Sequence, residues 1–130
     1  MRRPAKHLSL AASAATLFGS VTLGAIALTA QGIAAASTQY DIIEKGREVA
    51  FDRSKGNCLA CHAIEGGTLP GNIGPPLIAM KARFPDKAKL KAQIGDATKA
   101  NPNTIMPPFA KYGIVSDDEL DAITEFIYTL

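Results

Sequence analysis

The chain has 130 residues, 47% of them hydrophobic and 20% charged, which is material for one small domain rather than several. Its formal net charge is +2, but Arg2, Arg3 and Lys6 stand together at the start; without them the 14 Lys and Arg become 11, against 12 Asp and Glu, a net charge of −1. That balance excludes a nucleic-acid partner held by bulk positive charge.

From Leu8 to Tyr40 no charged residue appears, and Leu, Ala, Gly, Ser and Thr dominate. Ala34-Ala35-Ala36 then offers the small-x-small pattern of signal-peptide cleavage. We expect residues 1–36 to be a cleaved signal peptide, the mature domain to be 37–130, and its place to be the periplasm. The alternative is a retained membrane anchor, since about 18 apolar residues can span a bilayer. The many small residues make this run weakly hydrophobic, which favours cleavage and no stable membrane insertion afterwards.

Thr38 to Arg53 reads as the first helix. Ile42, Gly46, Val49 and Ala50 recur at the spacing of one helical face, with Asp41, Glu44, Lys45, Glu48 and Asp52 off it. Thr38 and Asp41 resemble a capping box. Gly46 costs helix stability, about 1 kcal/mol relative to alanine. It either lets another helix approach closely or is a tolerated weak position.

Gly56-Asn57 breaks this helix just before Cys58-Leu59-Ala60-Cys61-His62, the C-x-x-C-H pattern of covalent haem attachment. Two thiols three positions apart can add to the two vinyl groups of one haem, and the next residue can bring an imidazole to the iron. These are the only two cysteines in the chain. A redox disulfide is the first alternative, but no βαβ pattern accompanies it. Half of a zinc site is the second, but four ligands are wanted and the only other histidine is His7.

Residues 65–77 are rich in Gly and Pro and read as a loop, long enough to be functional. An axial histidine donates its second ring N–H to a carbonyl or carboxylate. The carbonyl of Pro75, in this stiff loop, is the acceptor we expect to orient His62. Ile78 to Phe84 reads as a short helix ended by Pro85, and Asp86 as the cap of a helix from Lys87 to about Ile94, with Leu90 and Ile94 inward. Lys81, Arg83, Lys87, Lys89 and Lys91 make this the basic part of the domain. The run reads as a solvated helix face or as a docking surface for an acidic partner.

Residues 100–109 form a second loop, Ala-Asn-Pro-Asn-Thr-Ile-Met-Pro-Pro-Phe. Its Met106 is followed by two prolines that would hold a soft thioether ligand in place, and Met/His ligation raises a haem's reduction potential. Met106 is the sixth ligand we expect; the alternatives are Met80 as ligand and Met106 as core filler. The last element is a helix opened by Ser116 and Glu119 as a capping box, with Asp117, Asp118 and Glu119 at its positive end. Leu120, Ile123, Ile127 and Leu130, with Phe126, form an apolar stripe that must pack against the first helix, the haem or both.

Taken together, Gly46, Cys58-x-x-Cys61-His62, Gly74-Pro75-x-Leu77, Met106-Pro107 and the last helix resemble a class I cytochrome c along the mature length. The resemblance implies an all-α fold packed around one covalently attached haem c. More narrowly, residues 51–62, 71–77 and 104–109 are similar to the SoxX family of monohaem cytochrome subunits. That likeness implies His62 and Met106 as iron ligands and a heterodimer with a SoxA-type cytochrome. It also implies a carrier protein of the SoxYZ type, whose cysteine is joined oxidatively to thiosulfate, and a downstream electron acceptor. In such complexes the sulfur chemistry is ascribed to the SoxA haem, and this chain carries no Ser/His/Asp or paired-carboxylate constellation of its own. The alternatives are a free-standing soluble electron carrier and a haem-based sensor with an open iron site.

Overall fold

The computed structural model describes residues 38–130, and the expected signal segment 1–36 lies outside them. Helix α1 occupies residues 38–51, so Thr38, expected as its cap, is already helical. Its buried face is Gly46, Val49 and Ala50, with Ile43 packed on the core, whereas Ile42 is 39% exposed. The helix stops two residues before the expected Arg53. The Asp52 carboxylate accepts the Ser54 N–H at 2.8 Å and its hydroxyl at 2.6 Å. A side chain that offers the backbone such a local partner competes with helix continuation.

Helix α2 is Met80–Arg83, shorter than the expected 78–84. Ala79 sits at φ 51, in the left-handed region, so no right-handed helix can run through it from Ile78. Helix α3, Lys87–Gly95, is capped by Asp86, whose carboxylate accepts the Ala88 N–H at 2.9 Å. Leu90 and Ile94 are buried, as their spacing implied. A 3-10 turn, Ala97–Lys99, follows under an Asp96 cap that the sequence reading did not separate from the loop.

Helix α4, Asp117–Ile127, has the full capping box: the Ser116 hydroxyl accepts the Glu119 N–H and the Glu119 carboxylate accepts the Ser116 N–H. Leu120, Ala122, Ile123, Phe126 and Ile127 are buried on it. The polar Thr124 is also buried, with its hydroxyl donated to the Leu120 carbonyl at 2.7 Å.

Gly46 is the crossing point of α1 on α4. A Cβ there would overlap the Ala122 carbonyl and stand 3.0 Å from the Ile123 nitrogen. The glycine is therefore a device for close approach. Phe51 meets Phe126 edge to face at 5.8 Å beside it. Helix α3 joins α4 through Lys87–Glu125 at 2.8 Å and Lys91–Asp121. Much of the basic run is thus a seam within the molecule, although such exposed pairs contribute only about 0–1 kcal/mol each. None of the described residues forms a strand, and the domain is all-α. Among them no helix is long and apolar enough to cross a membrane.

Candidate cofactor site

The site begins where the chain turns back on the end of α1. The Gly56 N–H donates to the Val49 carbonyl at 3.2 Å, and a Cβ on Gly56 would be 2.6 Å from that oxygen. Asn57 then takes φ 47, which asparagine tolerates better than most residues, and opens a 3-10 turn over Cys58–Ala60. The Cys58 carbonyl accepts the N–H groups of both Cys61, at 3.2 Å, and His62, at 2.9 Å. One tight turn thus presents both thiols and the imidazole. No disulfide joins the two cysteines, and burial pushes the Cys58 thiol up to about 11. The neutral thiol is therefore the form the fold accommodates there.

The loop after the turn is not loose. Gly71 N–H donates to the Leu59 carbonyl, Gly74 N–H to Cys61 and Leu77 N–H to Ala63, at 2.8, 2.8 and 2.9 Å. These three bonds lay residues 71–77 alongside residues 59–63. They bring the Pro75 carbonyl to 2.7 Å from Nδ1 of His62. With Nδ1–H donated to that oxygen, Nε2 is left with its lone pair free. The imidazole lies so close over Gly74 that a Cβ there would be 2.6 Å from Nδ1 and 2.9 Å from Nε2.

Arg83 was not singled out as a site residue, and no periodicity marks it. Its guanidinium donates to the Pro76 carbonyl at 2.8 Å and to the Met80 sulfur at 3.3 Å. It clamps the residue next to Pro75. Met80 itself is 2% exposed, and its N–H donates to the Leu130 carbonyl at 2.8 Å.

The 100–109 loop is held by its own polar groups. Asn101 accepts the Thr104 N–H on its carbonyl and the Asn103 N–H on its side chain, and the Thr104 hydroxyl accepts the Met106 N–H at 3.2 Å. Buried Phe109 and the Ala110 N–H, donated to the Gly95 carbonyl at 2.9 Å, fasten its far end to α3.

These parts converge on a cavity of about 500 Å³, within the usual size range of cofactor sites. Cys58, Cys61, His62, Pro75 and Met106 all line it, and so does Met80. Leu77, Phe84, Leu90, Ile94, Phe109, Ile123 and Ile127 make most of the remaining wall apolar. A haem fits this donor set: two thiols and an imidazole on one turn, thioethers on other segments, and apolar walls for a flat hydrophobic ring. Zinc fits poorly, because among the described residues no three His, Cys, Asp or Glu side chains are placed to hold one metal ion together.

The model of the cytochrome c family matches residues 43–130 of this chain. A comparison with curated proteins finds no match.

Proposed function

This chain belongs to the cytochrome c family and is an electron-transfer haem protein, and we propose that it holds one haem c in the cavity lined by His62 and Met106. In this reading Cys58 and Cys61 anchor the haem by thioether bonds, His62 and Met106 ligate its iron, and Pro75 orients His62. The observation that carries it is the convergence of those five residues on one apolar cavity, with the His62 ring bonded to Pro75 at 2.7 Å. The haem supplies a one-electron couple. The chain's own residues set its terms. The Pro75 carbonyl keeps the Nδ1 proton of His62 and raises the ring's basicity. Pro107 and Pro108 stiffen the backbone beyond Met106. Met106 is favoured over Met80 as ligand because the Met80 sulfur is already engaged by Arg83.

The narrower proposal is that the chain is the SoxX-type subunit of a periplasmic thiosulfate-conjugating complex. The runs 51–62, 71–77 and 104–109 support it. In that reaction a carrier cysteine thiol and thiosulfate become an S–S-linked conjugate, releasing one proton and two electrons. A SoxA-type cytochrome carries out the bond formation on a SoxYZ-type carrier. The present chain takes the electrons singly and hands them to a downstream acceptor.

The test is purification from thiosulfate-grown cells followed by reduction in the presence of thiosulfate. A second haem-staining chain and thiosulfate-dependent reduction are expected. A lone protein that SoxA-type and SoxYZ-type partners with thiosulfate cannot reduce would replace this reading with a free-standing electron carrier.

A further inference from the structure

A second groove, about 470 Å³, lies on the outer side of the Cys58–Cys61 turn. Arg53, Asn57 and Ala60 line both it and the larger cavity. Leu59 and Ala60, the residues between the two cysteines, form part of its floor.

Its rim has two unusual features. Leu69 is 92% exposed and is held at φ 52, a conformation that costs a residue with a branched side chain of order 1–3 kcal/mol. The loop imposes it: Gly71 is pinned to the Leu59 carbonyl two residues later, and a Cβ on Gly71 would stand 2.7 Å from the Ala60 carbonyl carbon and 3.1 Å from the Cys61 nitrogen. The fold thus presents an apolar side chain to solvent at a conformational cost. The second feature is Arg53. It is the only charged residue lining the groove, it is exposed, and among the described residues no carboxylate pairs with it. On α3, by contrast, Lys87 and Lys91 are paired with Glu125 and Asp121.

We infer that this groove is the docking point of the electron-transfer partner, a protein that covers Leu69 with an apolar recess and meets Arg53 with a carboxylate. The inference rests on the reading of the chain as an electron carrier, and it places the contact at the groove rather than on the basic face of α3. A partner seated there lies against Leu59 and Ala60, the residues between the two cysteines, and so beside whatever those thiols hold. The carboxylate of Asp52, next to it in the chain, is taken up by Ser54, which leaves the Arg53 guanidinium to offer the charge complementarity that steers such encounters.

The experiment measures second-order reaction rates of the haem-loaded full-length protein and three variants. Leu69→Asn removes the apolar contact with a residue that tolerates positive φ, so its melting temperature should be unchanged or higher. Arg53→Gln removes the charge. Lys89→Glu reverses a charge on α3. The reductant is the SoxA-type cytochrome with SoxYZ-type carrier and thiosulfate. If the wild type is not reduced by these, the sulfur reading fails, and the same variants are compared as ferrous donors to respiratory membranes. In either arm Leu69→Asn is expected to be about tenfold slower, the loss of one interface anchor. Arg53→Gln should flatten the dependence on ionic strength, and Lys89→Glu should react like the wild type. Reduction by ascorbate should be the same for Leu69→Asn and the wild type. A Leu69→Asn variant as fast as the wild type, or a slowing confined to Lys89→Glu, would overturn the inference.

Discussion

Replacing Gly74 with alanine tests how the His62 ring is held. The new Cβ would stand 2.6 Å from Nδ1 and 2.9 Å from Nε2, while ordinary van der Waals contact begins near 3.4 Å. The ring's Cε1 would be nearer still, so something must move by about 1 Å. The loop cannot easily yield, because the Gly74 N–H is bonded to the Cys61 carbonyl and Arg83 holds the Pro76 carbonyl, both at 2.8 Å. The ring is the freer party. A retreat of that size along its 2.7 Å bond to Pro75 would lengthen it to about 3.7 Å, where little of the bond remains. Such a bond contributes about 0.5–1.5 kcal/mol. With His62 as the proposed iron ligand, it would strengthen the imidazole as a donor and so favour the ferric iron. Its loss should therefore raise the reduction potential, by roughly 20–60 mV, since 1.4 kcal/mol corresponds to about 59 mV for one electron. The assay is a redox titration beside the NMR resonance of the His62 Nδ1 proton. Gly66→Ala serves as control: its Cβ would meet nothing within 4 Å, although φ +75 makes it a strained position. A Gly74→Ala protein with unchanged potential and an unshifted Nδ1 proton would refute the reasoning.

Met106→Ala should abolish the sulfur-to-iron charge-transfer absorption of the ferric protein and lower its potential, while Met80→Leu should keep both; the reverse pattern in the two spectra would identify Met80 as the ligand. Gly46→Ala should cost about 3 kcal/mol, the upper end of overpacking effects, measured by denaturant unfolding, because backbone rather than a movable side chain meets the added methyl. Ser116→Ala should cost about 1 kcal/mol through loss of the α4 cap, read as a lower melting temperature. The Lys55 ammonium, first, and the Ser116 N–H hold Glu119 below its ordinary value of 4.5. A carboxylate lowered on folding stabilises the fold above its unfolded value and loses that contribution as the pH falls through the folded one. The stability gap between wild type and Glu119→Gln, followed by unfolding at a series of pH values, should be full above pH 4.5 and close below it.

The parts legible in the sequence are those whose physics is local. Ser116 and Glu119 announce the start of α4, and the stripe from Leu120 to Ile127 announces what it buries. Gly46 was ambiguous by itself, because a glycine's reason lies in what touches it, and Ala122 is 76 positions away. The α2 boundary was missed because Ala79 adopts a left-handed conformation that nothing in an alanine signals. The Asp52 and Asp96 turns were missed because either aspartate is equally at home on a polar helix face. In the sequence Arg83 is one member of a charge run, and only the fold shows that its partners are the Pro76 carbonyl and the Met80 sulfur. The fastening of residues 71–77 onto the cysteine turn is all backbone to backbone and leaves no mark in side-chain patterning.

The claim beneath all of this is that Cys58 and Cys61 carry a haem in covalent linkage. The direct measurement is the intact mass of the protein, denatured after expression with its haem-attachment machinery. A mass of one chain plus one haem, with the colour staying on the denatured polypeptide, is the predicted result. A bare-chain mass, with any pigment released into solution, would contradict it.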